Sequence, residues 1–224
     1  MTETKIIDEY IDSHSDDDGE YLHRLWRATN IHTVHGRMVS GHLQGRLLKM
    51  FVNMIHPHYI LEIGTFSGYS AICMAEGLAE VSKDTGDTKR KIYTYEINDE
   101  MEDFARQWIG GSSVAEWIKM TIGDAKDLAP KLGIKFDMAF VDGNKRTYKE
   151  DYEMVLGVLA PGGYILADNT LWDGHVVDPS YDNDQQTKSI KEFNDFIKED
   201  NRVEKVMLPL RDGLTIIRKK ISAE

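Results

Sequence analysis

The apolar positions change period several times along this chain, and each change marks an element. From about Glu20 to Ile55 the pattern is helical. Leu43, Leu47, Met50, Phe51, Met54 and Ile55 fall at helix-face spacing, and Pro57 ends the run. Tyr59–Ile63 is then a short apolar run that stops at Gly64, which reads as a strand. Residues 67–81 return to helical spacing. Lys91–Glu96 predicts a second strand, 99–109 a helix, Lys119–Ile122 a third strand and Ala125–Lys131 a short helical turn. Phe136–Val141 is a nearly all-apolar fourth strand. Tyr148, Tyr152, Val155, Leu156 and Leu159 share one helix face after it. Gly163–Ala167 predicts a fifth strand, and Ile190, Phe193 and Ile197 another helix. Val203–Leu208 and Leu214–Ile217 read as two strands joined around Arg211-Asp212-Gly213, where Asp-Gly signals a tight turn.

Strands that alternate with helices predict a parallel sheet covered on both faces. The short final connection makes the last strand antiparallel to its partner. The expected fold is therefore α/β: a Rossmann-like, mostly parallel sheet with the last strand antiparallel, helices on both faces and a helical N-terminal extension. The 224 residues fit one domain, with 1–55 as the helical extension or lid and 56–224 as the core. Near the start, Ile6, Ile7, Tyr10 and Ile11 form a short amphipathic stretch, and the acidic run Asp16–Asp18 reads as a solvated linker.

Charge narrows the function. Lys and Arg number 27 against 38 Asp and Glu, a formal net of -11. A protein held by nucleic-acid phosphates needs a positive face, so nucleic acid is not an expected partner. Cys73 is the single cysteine, which leaves no intrachain disulfide. No apolar run approaches the roughly 20 residues of a membrane span, and the acidic N-terminus has no signal-peptide core. The expected location is cytoplasmic, with no membrane partner.

In open α/β sheets, ligands gather at the carboxyl ends of the parallel strands. Here the first end carries Gly64-Thr65-Phe66-Ser67-Gly68, the second Glu96, the third Gly123-Asp124-Ala125, the fourth Asp142 and the fifth Asp168-Asn169. The segment Glu62 to Gly68 has the form ExGxxxG, which differs from a dinucleotide fingerprint. Its glycines admit close approach of a ligand to the backbone. Glu96 is placed to accept from both hydroxyls of a ribose. No phosphate-clamping lysine follows the loop, so a nucleoside without phosphates fits. Asp124 reads as a partner for an adenine amine, as a helix N-cap, or as both.

Asp142, Asp168 and Asn169 offer only oxygen donors from two neighbouring strand ends. That chemistry suits a hard cation, with Mg²⁺ first and Ca²⁺ or Mn²⁺ as alternatives. Their structural readings are an N-cap at Asp142 and an Asx-turn at Asp168-Asn169. Lys145, three residues beyond Asp142, reads as a general base, as a fixed positive charge beside an oxyanion, or as a surface lysine. His175 lies just past this loop and has no ligand spacing with the other histidines.

The ExGxxxG loop, the VDGNK segment at 141–145 and ADNTLWDG at 167–174 together resemble the cation-dependent O-methyltransferases, catechol and caffeoyl-CoA types. The similarity runs from about Arg37 to Lys219. It implies S-adenosylmethionine as methyl donor, a seven-stranded sheet, a bound divalent cation and a homodimer. It implies that Glu62, Gly64, Thr65, Gly68 and Ser70 form the cofactor's methionine-end loop, with Asp142 beside them. Glu96 then meets the ribose, Asp124 and Ala125 the adenine, and Met38 and Ser40 close over the cofactor. Asp142, Asp168 and Asn169 correspond to metal ligands, Lys145 to the base, and Trp172 and Asp173 to the acceptor side. The implied acceptor is a small aromatic molecule with adjacent hydroxyls. A nucleic-acid methyltransferase and a non-catalytic cofactor-binding module are the rival readings. An NAD-dependent oxidoreductase fits the loop spacing less well.

Overall fold

Ile60 and Leu61 are neighbours in the chain and lie in opposite halves of the interior. Side chains alternate across a strand, so a strand apolar at both parities must be covered on both faces. This is the organising fact of the fold, seen in a computed structural model that describes residues 3–221. The extreme ends of the 1–224 range assigned to the domain lie outside the described residues.

The strands are β1 (Tyr59–Ile63), β2 (Lys91–Glu96), β3 (Ile118–Ile122), β4 (Phe136–Val141), β5 (Leu159–Asp168), β6 (Val203–Leu208) and β7 (Leu214–Lys219). They form one sheet in the order β3-β2-β1-β4-β5-β7-β6. β1 to β5 are parallel to one another, and β7 is antiparallel to both β5 and β6. The expected seven-stranded, Rossmann-like sheet with an antiparallel last strand is the observed one.

The helices are α1 (Glu3–Ser13), α2 (Gly19–His32), α3 (His42–Ile55), α4 (Tyr69–Thr85), α5 (Glu102–Gly110), α6 (Ala125–Leu128), α7 (Tyr148–Val158) and α8 (Gln185–Glu199). One half of the core joins Leu48, Val52, Ile72 and Leu78 of α3 and α4 to Ile60, Ile92, Met138 and Phe140 of the sheet. The other half joins Tyr152, Val155, Ile190 and Phe193 of α7 and α8 to Leu61, Ala139, Ile165 and Ile217. Full burial of each such side chain contributes about 1.5–3 kcal/mol before entropic costs. α3 crosses α4 closely, because a Cβ on Gly77 would stand 2.8 Å from that of Val52.

Three expectations change. Leu159, read on a helix face, opens β5 instead, so that strand is longer than the expected Gly163–Ala167. The helical run from Glu20 to Ile55 is interrupted between α2 and α3 by a 3₁₀ turn at Gly36–Met38. β-branched Thr33 and Val34 and the flexible Gly36 and Gly41 end the regular spacing there. The helix expected over residues 67–81 is α4, which continues past residue 81 to Thr85 and stops at left-handed Gly86. Among the described residues no helix is long and apolar enough to cross a membrane.

Candidate active site

The strand order reverses between β1 and β4, so their connections leave in opposite directions and open a crevice at the carboxyl edge. A cleft of about 1030 Å³ lies there. Met38, Gly64, Glu96, Asp124, Ala125, Asp142, Lys145, Asp168, Asn169, Trp172 and Asp173 all line it.

Its first half is built by β1, β2 and β3. Gly64 has φ +97°, and a Cβ there would collide with the carbonyl oxygen of Asp142. Only glycine lets the loop after β1 run against the end of β4. The loop is pinned by Gly64 and Thr65 N–H groups donating to the Tyr95 carbonyl at 2.9 and 3.2 Å. Thr65 and Thr94 hydroxyls meet at 2.5 Å behind it. Glu96 accepts from the Phe66 N–H at 2.7 Å and the Asn98 N–H at 2.9 Å, one bond on each oxygen. Its rotamer is thus fixed at the cleft wall. Asp124 accepts from Lys126 N–H at 2.8 Å, so it caps α6 while it lines the cleft. Phe66, Tyr95 and Phe104 supply aromatic wall.

Glu62, at the end of β1, is fully buried and accepts from Ser70 Oγ at 2.6 Å through one oxygen. Its other oxygen, Oε2, is buried with no partner. Burial pushes this carboxyl up to about 7, with Ser70 and Thr94 pulling the other way and Asp142 and Glu96 adding to the rise. Ser40, Glu62, Thr65, Gly68 and Ser70 do not line the cleft; Thr65 and Gly68 belong to its glycine loop, Glu62 and Ser70 are buried behind that loop, and Ser40 is buried just before α3.

The second half is built by β4, β5 and the β6–β7 turn. Asp142 accepts from Lys145 Nζ at 2.7 Å. Lys145 is almost fully buried and also donates to Tyr148 Oη at 2.7 Å, and Tyr148 donates to the Asp168 carbonyl at 2.8 Å. Lys145 is therefore not a surface lysine. Asn144, not Asp142, caps the following turn by accepting from Arg146 N–H. Asp168 is buried, and burial together with the Asp142 charge pushes its carboxyl up to about 6. Asn169 sits at φ 57° and donates through Nδ2 to Asp212 at 3.3 Å. Trp172 and Asp173 also have positive φ, at 47° and 54°. Such backbone costs energy for non-glycine residues and concentrates at functional sites. The loop is clamped by Leu171 and Trp172 N–H groups donating to the Asp212 carbonyl at 2.7 and 3.1 Å. His175 stacks on Tyr181 with ring centroids 3.5 Å apart and reaches the cleft edge.

Asp142, Asp168 and Asn169 fit a hard cation by donor chemistry: two carboxylates whose charges oppose each other, and one amide oxygen. Among the described residues no group of three or more His, Cys, Asp or Glu side chains forms a complete cage. A cation at this trio would keep open positions for water or an acceptor.

Sequence reasoning passed over Gln44, Arg211 and Asp212. Gln44 is buried and donates to Asp168 at 2.8 Å. Arg211 and Asp212 read only as turn residues. The one available signal was a polar glutamine four residues before Leu48, on the buried face of its helix.

Comparison with known proteins places the chain in a family. The sequence profile of the O-methyltransferase family matches residues 12–220. Tricin synthase 2 of Oryza sativa subsp. japonica is 32% identical over 216 residues, covering 91% of this chain and 70% of the relative. Caffeoyl-CoA O-methyltransferase 2 of Zea mays is 32% identical over 195 residues, covering 81% and 70%. Among solved structures, the SAH-bound Podospora anserina methyltransferase PaMTH1 superposes with a TM-score of 0.86 at 28% identity, covering 97% of this chain and 95% of that one. The O-methyltransferase TomG from Streptomyces achromogenes, solved with SAM, gives 0.85 at 25% identity, covering 98% and 100%.

Proposed function

Because the chain belongs to the O-methyltransferase family, we propose that it moves the methyl group of S-adenosylmethionine onto a hydroxyl of a small aromatic acceptor with two adjacent hydroxyls. In this reading a divalent cation, Mg²⁺ first, with Ca²⁺ or Mn²⁺ as alternatives, is held by Asp142, Asp168 and Asn169. The observation that carries it is the meeting, in one cleft, of a fixed Glu96, the oxygen trio and a buried Lys145. The relatives named for caffeoyl-CoA methylation and the neighbour solved with SAM support the same reading.

Each residue has a task. Glu96, held by two backbone N–H groups, keeps lone pairs for the ribose hydroxyls. Ala125 and Asp124 border the adenine, and Met38 covers the cofactor from the segment before α3. The carboxylate of Asp142 gives the methionine end negative charge that suits an ammonium and a sulfonium, and the buried Glu62 backs the glycine loop from behind. Bound S-adenosylmethionine supplies an electrophilic methyl whose leaving group is a neutral thioether. Bound Mg²⁺ lowers the pKa of adjacent hydroxyls and fixes their orientation. Lys145 Nζ takes the acceptor's proton, and Asp142 and Tyr148, each 2.7 Å away, hold the amine in place. Such a base contributes about 10²–10⁴-fold, and positioning the two reactants contributes more, up to about 7–11 kcal/mol. Trp172 and Asp173 line the acceptor side.

The net charge of -11 argues against the rival nucleic-acid acceptor. The buried Lys145 argues against a non-catalytic module. A cytoplasmic homodimer, with residues 1–55 as extension or lid on a 56–224 core, completes the proposal, and light scattering tests its size.

The test is methyl transfer from S-adenosylmethionine to caffeic acid, with Mg²⁺ and with EDTA. Turnover that EDTA removes and Mg²⁺ restores is the expected result. Full turnover in EDTA would overturn the cation's role. Cofactor binding without turnover on a broad catechol panel would overturn the acceptor class.

A further inference from the structure

We infer that Gln44 is a positioning residue for the cation site, and that Arg211 sets the orientation in which it works. This rests on the reading of Asp142, Asp168 and Asn169 as the cation's ligands.

Gln44 lies in the first turn of α3 and is 1% exposed. Its Nε2 donates to Asp168 Oδ2 at 2.8 Å, and its Oε1 accepts from Arg211 Nη1 at 2.7 Å. A guanidinium carries only donors, so the amide must present its oxygen to Arg211 and its nitrogen to Asp168. Arg211 is held in turn by donating to the Val39 carbonyl at 3.3 Å. It occupies a left-handed backbone position, φ 50°, at the head of the β6–β7 turn.

The consequence falls on Asp168. One of its oxygens is fixed by Gln44, and the other by the Asn169 N–H at 2.9 Å. Each oxygen keeps a free lone pair, and the carboxylate plane can no longer rotate. Without the Gln44 donor, the charge of Asp142 would push this carboxylate away from the shared site. Side chains that orient a metal's ligands typically change its affinity by about 10–100-fold. Gln44 also joins three remote segments at this point: α3, the end of β5 and the β6–β7 turn. The N-terminal helices thereby become part of the cation site without offering it a ligand.

The test measures Mn²⁺ binding by electron paramagnetic resonance on wild type, Gln44→Met, Arg211→Met and the double variant, in the absence of turnover. S-adenosylhomocysteine affinity and thermal melting are measured on the same samples. Gln44→Met keeps the length and loses both hydrogen bonds. Its Mn²⁺ dissociation constant should rise about 10–100-fold, with S-adenosylhomocysteine binding and melting little changed. Arg211→Met should weaken Mn²⁺ less. If Arg211 acts through Gln44, the double variant should bind Mn²⁺ no more weakly than Gln44→Met alone. In turnover, the KM for Mn²⁺ should rise while kcat at saturating Mn²⁺ returns towards wild type.

Unchanged Mn²⁺ affinity in folded Gln44→Met overturns the inference. So does a loss shared equally by Mn²⁺, S-adenosylhomocysteine and melting, which marks a structural role. Additive losses in the double variant overturn Arg211's part. If Gln44→Met does not fold, the surface substitution Arg211→Met decides, and wild-type Mn²⁺ affinity there overturns the proposal. Wild type that binds S-adenosylhomocysteine but no Mn²⁺ overturns the cation reading itself, which is a different result from any of these.

Discussion

The two halves of the cleft are assembled over very different distances along the chain. In the half built by β1 and β2, Ser70 holds Glu62 across 8 residues and Phe66 holds Glu96 across 30. In the half built by β4 and β5, Gln44 reaches Asp168 across 124 residues, and Arg211 reaches Gln44 across 167. The first half is a property of consecutive strand-loop-helix units. The second exists only when the N-terminal helices and the C-terminal hairpin have both docked. The halves also differ in what they leave unsatisfied. The first hides an unpartnered oxygen of Glu62 behind the glycine loop. The second gathers two carboxylates whose charges oppose each other at the cleft floor.

Asp168→Ala probes this difference most strongly. It should remove methyl transfer by about 10³-fold or more, since it deletes a proposed cation ligand and releases Gln44 and the Lys145 neighbourhood together. S-adenosylhomocysteine affinity, measured by calorimetry, should stay near wild type because Glu96 and the glycine loop are untouched. Lost cofactor binding would show that the halves are one unit.

Glu96→Ala is the converse and smaller change. Deleting the proposed charged acceptor of the ribose hydroxyls should weaken S-adenosylhomocysteine about 10–100-fold. Mn²⁺ affinity should not follow. A parallel loss of Mn²⁺ would again tie the halves together.

Glu62→Gln should have the smallest effect on turnover and act on stability instead. The Glu62 carboxyl rises from 4.5 unfolded to about 7 folded. A raised carboxyl binds its proton more tightly in the folded state. Its contribution is therefore fully present below about 4.5 and is lost as pH climbs to about 7, a change of about 3 kcal/mol. Glutamine is neutral throughout, so urea unfolding of the variant should lack this decline between about pH 4.5 and pH 7. An identical decline in both proteins would assign the titration to another group.

Much of this was legible beforehand, for identifiable reasons. Short apolar runs set between stretches of helical spacing located all seven strands, because a sheet buried on both faces needs apolar residues at both parities. The acidic strand ends were legible because the sheet's own edge needs no carboxylates. The break between α2 and α3 was not, since the helical spacing looked continuous across Thr33–Gly41. It matters because Met38 reaches the cleft from that break. The position of Lys145 was open between a buried and a surface site until Tyr148 and Asp142 were seen around it.

The sequence by itself determined the parallel sheet, its antiparallel last strand and the chemistry at each strand end, because these follow from short-range periodicity and from which side chain ends each strand. Tertiary structure alone decided which oxygen of Asp168 is held, that Glu62 stands behind the loop rather than in the cleft, and that a turn at Arg211 orients a glutamine on α3. The first and the last depend on contacts between segments more than a hundred residues apart, and no local pattern of apolar and polar positions encodes such distances; the Glu62 contact is short in sequence, but burial on both sides of the sheet comes only with the packed fold.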